Sequence, residues 1–223
     1  VPPTTPRGEP VNRAIPFPNK KYQVILADPA WSYRNKKTGG HSRWAKGRNG
    51  LGAEMKSGAA QKYDVMDTED ICALPVPDIS SRNSCLFLWA TTPLLPDAFK
   101  VMEAWGFEYK TAIYWRKIMS LGMGLWFRGQ VEVCLFGIKG NVPAFHCQHP
   151  NFLQTKAGIH SRKPKELFNI IGPCIEDMNP KIELFARQRI EGWDCWGNQV
   201  PDDEQKLLSP PIQSGVSVRG EAP

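Results

Sequence analysis

No apolar run in this 223-residue chain approaches the roughly 20 residues that a membrane-spanning helix needs, so a membrane partner is not expected. No Gly-x-Gly-x-x-Gly follows any strand-like run, which argues against a dinucleotide-binding fold. The six cysteines, Cys72, Cys85, Cys134, Cys147, Cys174 and Cys195, form no Cys-x-x-Cys pair. Cys85 and Cys134 lie in apolar strand-like runs, where cysteine is usually a small buried hydrophobe. All six are therefore expected to be reduced thiols of a cytoplasmic protein. Histidine is scarce, at four residues, and His146-Cys147-Gln148-His149 with nearby His160 fits no standard zinc module. A metal site is accordingly not expected. No secretory signal pattern opens the chain.

What is present is basic charge. Lys and Arg number 28 against 22 acids, a net charge of +6, which favours a polyanionic partner without identifying one. Residues 1–21 are proline-rich and read as an extended arm, and 202–223 read as a disordered tail. The folded body is expected between them, over 22–201. Strand signals fall at Tyr22–Ala27, Ser84–Ala90, Thr111–Trp115, Val131–Ile138 and Lys181–Ala186. Helix signals fall at Pro96–Trp105, stopped by Gly106, and at Pro164–Ile171. This alternation predicts an α/β fold with a mostly parallel sheet. Its ligands should then lie at the carboxyl ends of the strands, where Asp28 and Arg187 fall.

Two long loops interrupt the rhythm. Between Ser32 and Lys62, the basic residues Arg34, Lys36, Lys37, Arg43, Lys46 and Arg48 accompany Trp44, with Glu54 the lone acid. The second loop, Arg116–Gly129, contains Lys117, Trp126 and Arg128. Basic residues with interleaved aromatics suit phosphate contacts plus base stacking, although a solvated surface loop fits the same charges.

Asp28-Pro29-Ala30-Trp31 follows the first strand. Pro29 fixes its own φ and biases Asp28 toward extended geometry. That presents the Asp28 carboxylate and the Pro29 carbonyl as two acceptors, with Trp31 as a candidate stacking plane. An exocyclic amine on a flat base is a poor nucleophile because its lone pair is delocalised into the ring. Accepting both of its N–H bonds favours pyramidal nitrogen and frees that pair. Methyl transfer from a sulfonium would then depend on positioning and electrostatics. An ordinary Asp-Pro turn with a core tryptophan fits the same four residues.

The wider pattern resembles the MTA/METTL family of adenine-N6 methyltransferases, whose hallmark is Asp-Pro-Pro-Trp after a strand. Ile25-Leu26-Ala27-Asp28-Pro29-Ala30-Trp31 differs from it by Ala30 in place of the second proline. Leu86–Thr91, Trp105-Gly106-Phe107, Trp115-Arg116-Lys117, Glu132–Gly140, Ser161–Glu166, Lys181–Arg187 and Gly197-Asn198-Gln199 continue the resemblance in order, over about Tyr22 to Gln199. The resemblance implies a Rossmann-like methyltransferase fold with helices on both faces and the catalytic loop preceding the cofactor motifs. It implies S-adenosylmethionine as cofactor, held by Asp28, Lys163, Arg187, Asn198 and Gln199, with Glu183 as an orienting acid. Arg189 stands where the eukaryotic messenger-RNA enzyme has a histidine. The compact domain and long basic loop favour DNA as substrate, with RNA as the alternative. A monomer or homodimer is expected, with a methyltransferase partner subunit possible, and a non-catalytic nucleic-acid-binding subunit is the competing reading.

Overall fold

In the computed structural model, residues 15–32, 65–118, 126–147, 149–156, 162–198 and 200 are described. The first strand, β1 (Tyr22–Ala27), is buried at five of six positions. Two short helices follow, α1 (Thr68–Cys72) and α2 (Val76–Ile79), leading into the long strand β2 (Ser80–Thr91). A 3-10 turn at Thr92–Leu94 opens α3 (Leu95–Ala104). Then come β3 (Glu108–Ile118), β4 (Val131–Lys139), β5 (Phe152–Lys156), α4 (Leu167–Ile171), β6 (Lys181–Leu184) and β7 (Asp194–Trp196).

The seven strands form one sheet in the order β5-β3-β4-β2-β1-β6-β7. β1 runs parallel to β2 and β6, β6 to β7, and β3 to β5. β4 is antiparallel to both of its neighbours and is the one reversed strand. The mostly parallel α/β reading therefore holds, with a single reversal that brings the start of β4 to the carboxyl edge of the other strands.

Side chains alternate across the sheet with period 2. Ile25, Ala27, Leu86, Leu88, Ile182 and Leu184 face a core completed by residues of α1, α2 and α3. Val24, Leu26, Phe87, Trp89, Ile113 and Trp115 face a second core closed by Leu167 and Ile171 of α4. Helices thus cover both faces, which is why β2 reads as a continuous apolar run. Cys85 and Cys134 are buried, as their settings predicted.

Several expectations need correction. Cys147 and Cys174 are paired in a disulfide, so the expectation of six reduced thiols fails for these two. The segment between β4 and β5 brings Cys147 against the end of α4, a proximity that no local pattern encodes. The helix expected from Pro164 begins only at Leu167, because Pro164 to Glu166 form a turn with the Leu167 N–H bonded to the Pro164 carbonyl at 3.2 Å. The strand expected to reach Ala186 ends at Leu184, because Phe185 turns into the left-handed region at φ 61°. β5 and β7, five and three residues long, carried too little pattern to be anticipated. Near the end of the arm, Phe17 packs edge-on against Trp196 at 4.9 Å, so this part of the expected extended arm belongs to the folded body.

Gly197 is the backbone contact that fixes the turn after β7. A Cβ there would fall 2.4 Å from the Ala186 carbonyl oxygen and 2.7 Å from the Ala186 nitrogen, neither of which can yield independently. Gly197→Ala is expected to cost about 1–3 kcal/mol by overpacking, read as a lower melting temperature.

Candidate active site

β1 and β6 are adjacent and parallel, with Ala27 opposite Leu184, so the turns that leave them share one edge. Asp28 and the Phe185–Arg187 turn stand there together. Lys163 reaches this edge from the turn before α4. Its Nζ donates to Asp28 Oδ1 at 2.6 Å and lies 3.3 Å from Glu132 Oε2. Glu132 also holds Lys117 through Oε1. The result is an alternating chain, Asp28–Lys163–Glu132–Lys117, drawn from four segments. The Lys163 ammonium also lies 5.5 Å from the centre of the Trp89 ring.

Burial and charge oppose each other in this chain. Burial pushes the Glu132 carboxyl up, but the ammonium groups of Lys163 and Lys117 outweigh it and hold the carboxyl below its ordinary value. Burial lowers Lys163, but Asp28 and Glu132 more than reverse this. Glu132 and Lys163 are thereby kept charged at the sheet edge, which a lone buried ion could not be.

The Asp28–Trp31 loop is fastened at three points. The Trp31 indole N–H donates to the Trp89 carbonyl at 3.0 Å. The Met66 N–H donates to the Ala30 carbonyl, and the Ser32 N–H to the Met66 carbonyl, each at 2.9 Å. The Trp31 N–H also bonds the Pro29 carbonyl at 2.9 Å, which closes a tight turn over Ala30. Rigidity that a second proline would supply covalently is supplied here by hydrogen bonds. Trp31 itself is only 7% exposed and belongs to the core. The ring, expected as a stacking plane, packs into the core, and its indole N–H anchors the loop. Trp31→Phe should cost about 1 kcal/mol of stability through the lost hydrogen bond and lower turnover by loosening Asp28, as checked by melting and single-turnover rates.

A cleft of about 270 Å³ opens beside the loop, lined among others by Asp28, Trp89, Lys163, Glu183, Arg187 and Gln188. Within it, Glu183 Oε2 is buried and has no hydrogen-bond partner among the described residues. Burial, with the negative charge of Asp28, pushes the Glu183 carboxyl up to about 7 despite the counteracting Arg187. An orphaned acceptor facing a cleft fits a ligand that brings hydroxyl donors, such as a ribose.

The structure thus brings together Asp28, Lys163, Glu183 and Arg187. Asn198 is exposed on the turn after β7, outside the cleft lining, and Gln199 lies outside the described residues. Arg34, Lys36, Lys37, Arg43, Trp44, Lys46 and Arg48 also lie outside them. Lys117, expected as a phosphate contact, pairs its ammonium with Glu132 and sits over the Trp115 ring. Trp126 and Arg128 are exposed. Sequence reasoning missed Glu132, although an acid inside an apolar strand was the same signal that singled out Glu183. It also missed Arg162 and Lys165, which line the cleft.

The MT-A70 family pattern matches residues 22–199. The chain is 35% identical over 203 residues to the type II methyltransferase M.MunI of a Mycoplasma species, spanning 89% of this chain and 86% of that protein. It is 26% identical over 201 residues to the N6-methyladenosine RNA methyltransferase MTA1 of Pyricularia oryzae, spanning 80% of this chain and 47% of that protein. It is 22% identical over 200 residues to the N(6)-adenine-specific methyltransferase METTL4 of Homo sapiens, spanning 81% of this chain and 38% of that protein. The chain therefore spans less than half the length of these two eukaryotic relatives.

Proposed function

This chain belongs to the MT-A70 family and is an adenine-N6 methyltransferase, and from that premise we propose that it methylates adenine in DNA at the Asp28 loop. The observation that carries the site is the Lys163–Asp28 pair at the mouth of a cleft whose wall holds an unsatisfied acceptor, Glu183. Lys163 occupies Asp28 Oδ1, so Oδ2 is assigned to one N–H of the target amine. The Pro29 carbonyl already accepts the Trp31 N–H and has a second lone pair for the other amine hydrogen. With both hydrogens held, the nitrogen pair is directed at the methyl, and after transfer one proton of the resulting cationic nitrogen passes to Asp28 Oδ2 and from there to solvent. S-adenosylmethionine, the donor that the family implies, supplies an electrophilic sulfonium methyl whose thioether departs neutral.

Arg187 and Glu183 are proposed to hold the cofactor's ribose, Lys163 its carboxylate, and Asn198 and Gln199 its adenine. The catalytic domain is taken as residues 22–201. DNA is favoured over RNA because similarity to the type II methyltransferase, at 35%, exceeds that to the RNA enzyme, at 26%. Radiolabelled S-adenosylmethionine incubated with separate DNA and RNA substrates tests this directly. Label in DNA is expected. Label in RNA alone would remove the DNA assignment, and label in neither would remove the enzyme.

Glu183 makes cofactor binding pH-dependent in a stated direction. In the free protein its carboxyl, raised to about 7, stays protonated where an unfolded glutamate would ionise. Its stabilising contribution is complete below about pH 4.3, the unfolded value, and is lost as pH rises through about 7. Ribose hydroxyls donating to the carboxylate reverse this preference. S-adenosylmethionine should therefore bind more tightly as pH rises from 6 to 8, and Glu183→Gln should flatten that slope in calorimetric titrations.

A further inference from the structure

We propose that Trp126 and Phe127 form a wedge that enters duplex DNA and fills the space left by an extruded adenine. This rests on the DNA reading above and extends it to a double-stranded substrate. The two adjacent rings are 92% and 90% exposed, the most exposed large hydrophobic side chains among the described residues. No core explains them, and two neighbouring open aromatics mark a contact surface more often than chance exposure does.

Their position points to the occupant. β3 ends and β4 begins at the carboxyl edge, the edge that carries Asp28. The base of this connection is clamped where Arg116 pairs with Val131 and the Lys117 N–H bonds the Gln130 carbonyl at 2.8 Å. A further bond runs from Thr92 Oγ1 to the Val131 carbonyl at 3.2 Å. Phe127 lies five positions before Glu132, whose carboxylate holds Lys163 and through it Asp28. Even a fully extended chain places the Phe127 backbone no more than about 18 Å, and the Trp126 backbone no more than about 22 Å, from the Glu132 backbone. Arg128 follows the rings directly in the chain, and Arg162 and Lys165 line the cleft, all three exposed. Cationic charge around open aromatic faces complements phosphates and stacked bases rather than an apolar protein surface.

The chemistry requires such a device. An adenine inside a duplex cannot present its amine to Asp28, so it must leave the stack, and its departure opens a gap. Apolar side chains inserted between base steps are a general means of holding duplex DNA open. Base–aromatic stacking of about 1–3 kcal/mol per base corresponds to roughly a five- to 150-fold effect.

The test begins by sequencing methylated adenines in DNA treated with the full chain, which locates the target. Two synthetic duplexes then carry that target, one opposite thymine and one opposite an abasic position that leaves it unpaired. Wild type and the double variant Trp126→Ala/Phe127→Ala are compared on both under single-turnover conditions. Both positions are open to solvent, so melting temperature should be unchanged. The double variant is expected to lose roughly ten- to a hundredfold on the paired duplex and to stay within about threefold of wild type on the unpaired one. Trp126→Phe, which keeps a wedge, should retain most of the paired-duplex rate. An equal loss on both duplexes, or no loss on the paired one, would overturn the proposal. So would a wild-type rate lower on the unpaired duplex, because extrusion would then not limit the reaction. Failure of wild type to label any DNA would instead remove the DNA reading itself.

Discussion

Asp28→Ala is expected to reduce methyl transfer by at least about a hundred- to a thousandfold, the range seen when a preorganised hydrogen-bond partner is removed from a reacting centre. The carboxylate stands at the end of β1 and is aimed by Lys163. In the proposed mechanism its loss removes one of the two acceptors that free the amine lone pair. Lys163 would retain Glu132 at 3.3 Å, so the cationic side of the site survives and the cofactor should still bind. A calorimetric titration beside a single-turnover assay separates the two effects. A modest loss of cofactor affinity beside a far larger loss of turnover is the expected pair of results. Wild-type turnover in this variant would remove Asp28 from the mechanism.

Lys163→Met should combine two losses that sequence reasoning kept apart. By resemblance Lys163 is a cofactor contact, yet its ammonium is shared between Asp28 and Glu132. Removing it leaves Asp28 without its bonded cation and Glu132 with Lys117 alone. Breaking a fully buried pair costs about 3–5 kcal/mol. The side chains of Lys163 and Asp28 remain 20% and 16% exposed, so solvent screening reduces the expected cost to about 1–3 kcal/mol. Turnover should fall by roughly a hundredfold as Asp28 loses its orientation, and cofactor affinity should fall with it. Weakened cofactor binding with unchanged turnover at saturation would mean that the Asp28 pairing does not contribute to catalysis.

The long elements were legible because period and length agree. β2 announces itself by an unbroken apolar run from Cys85 to Ala90, and α3 by Phe99, Met102 and Trp105 at helical spacing before Gly106, of which Met102 and Trp105 are buried and Phe99 is exposed. The short pieces β5, β7, α1 and α2 were not, since three to five residues cannot display a period. The disulfide was also hidden, because Cys147 and Cys174 are 27 residues apart with no local motif.

The site divides in the same way. Asp28-Pro29-Ala30-Trp31 could be read as a loop ending a buried strand, because proline geometry and apolar runs are local properties. Trp31 shows where that reading stops. An aromatic side chain can stack on a ligand or fill a core, and the choice depends on what lies across the sheet, here the Trp89 carbonyl. Ala30 lacked a visible source of stiffness until Met66, 36 positions away, was found bonded to its carbonyl. The sequence by itself determined the strand–loop order and the residue types available for methyl transfer. Only the tertiary structure decided that Lys163 meets Asp28 and Glu132 at one sheet edge, that Lys117 turns inward, and that Glu183 Oε2 finds no hydrogen-bond partner among the described residues. Charge pairing and burial act over a few ångströms in space, and the residues that share those ångströms here are separated by up to 135 positions in the chain.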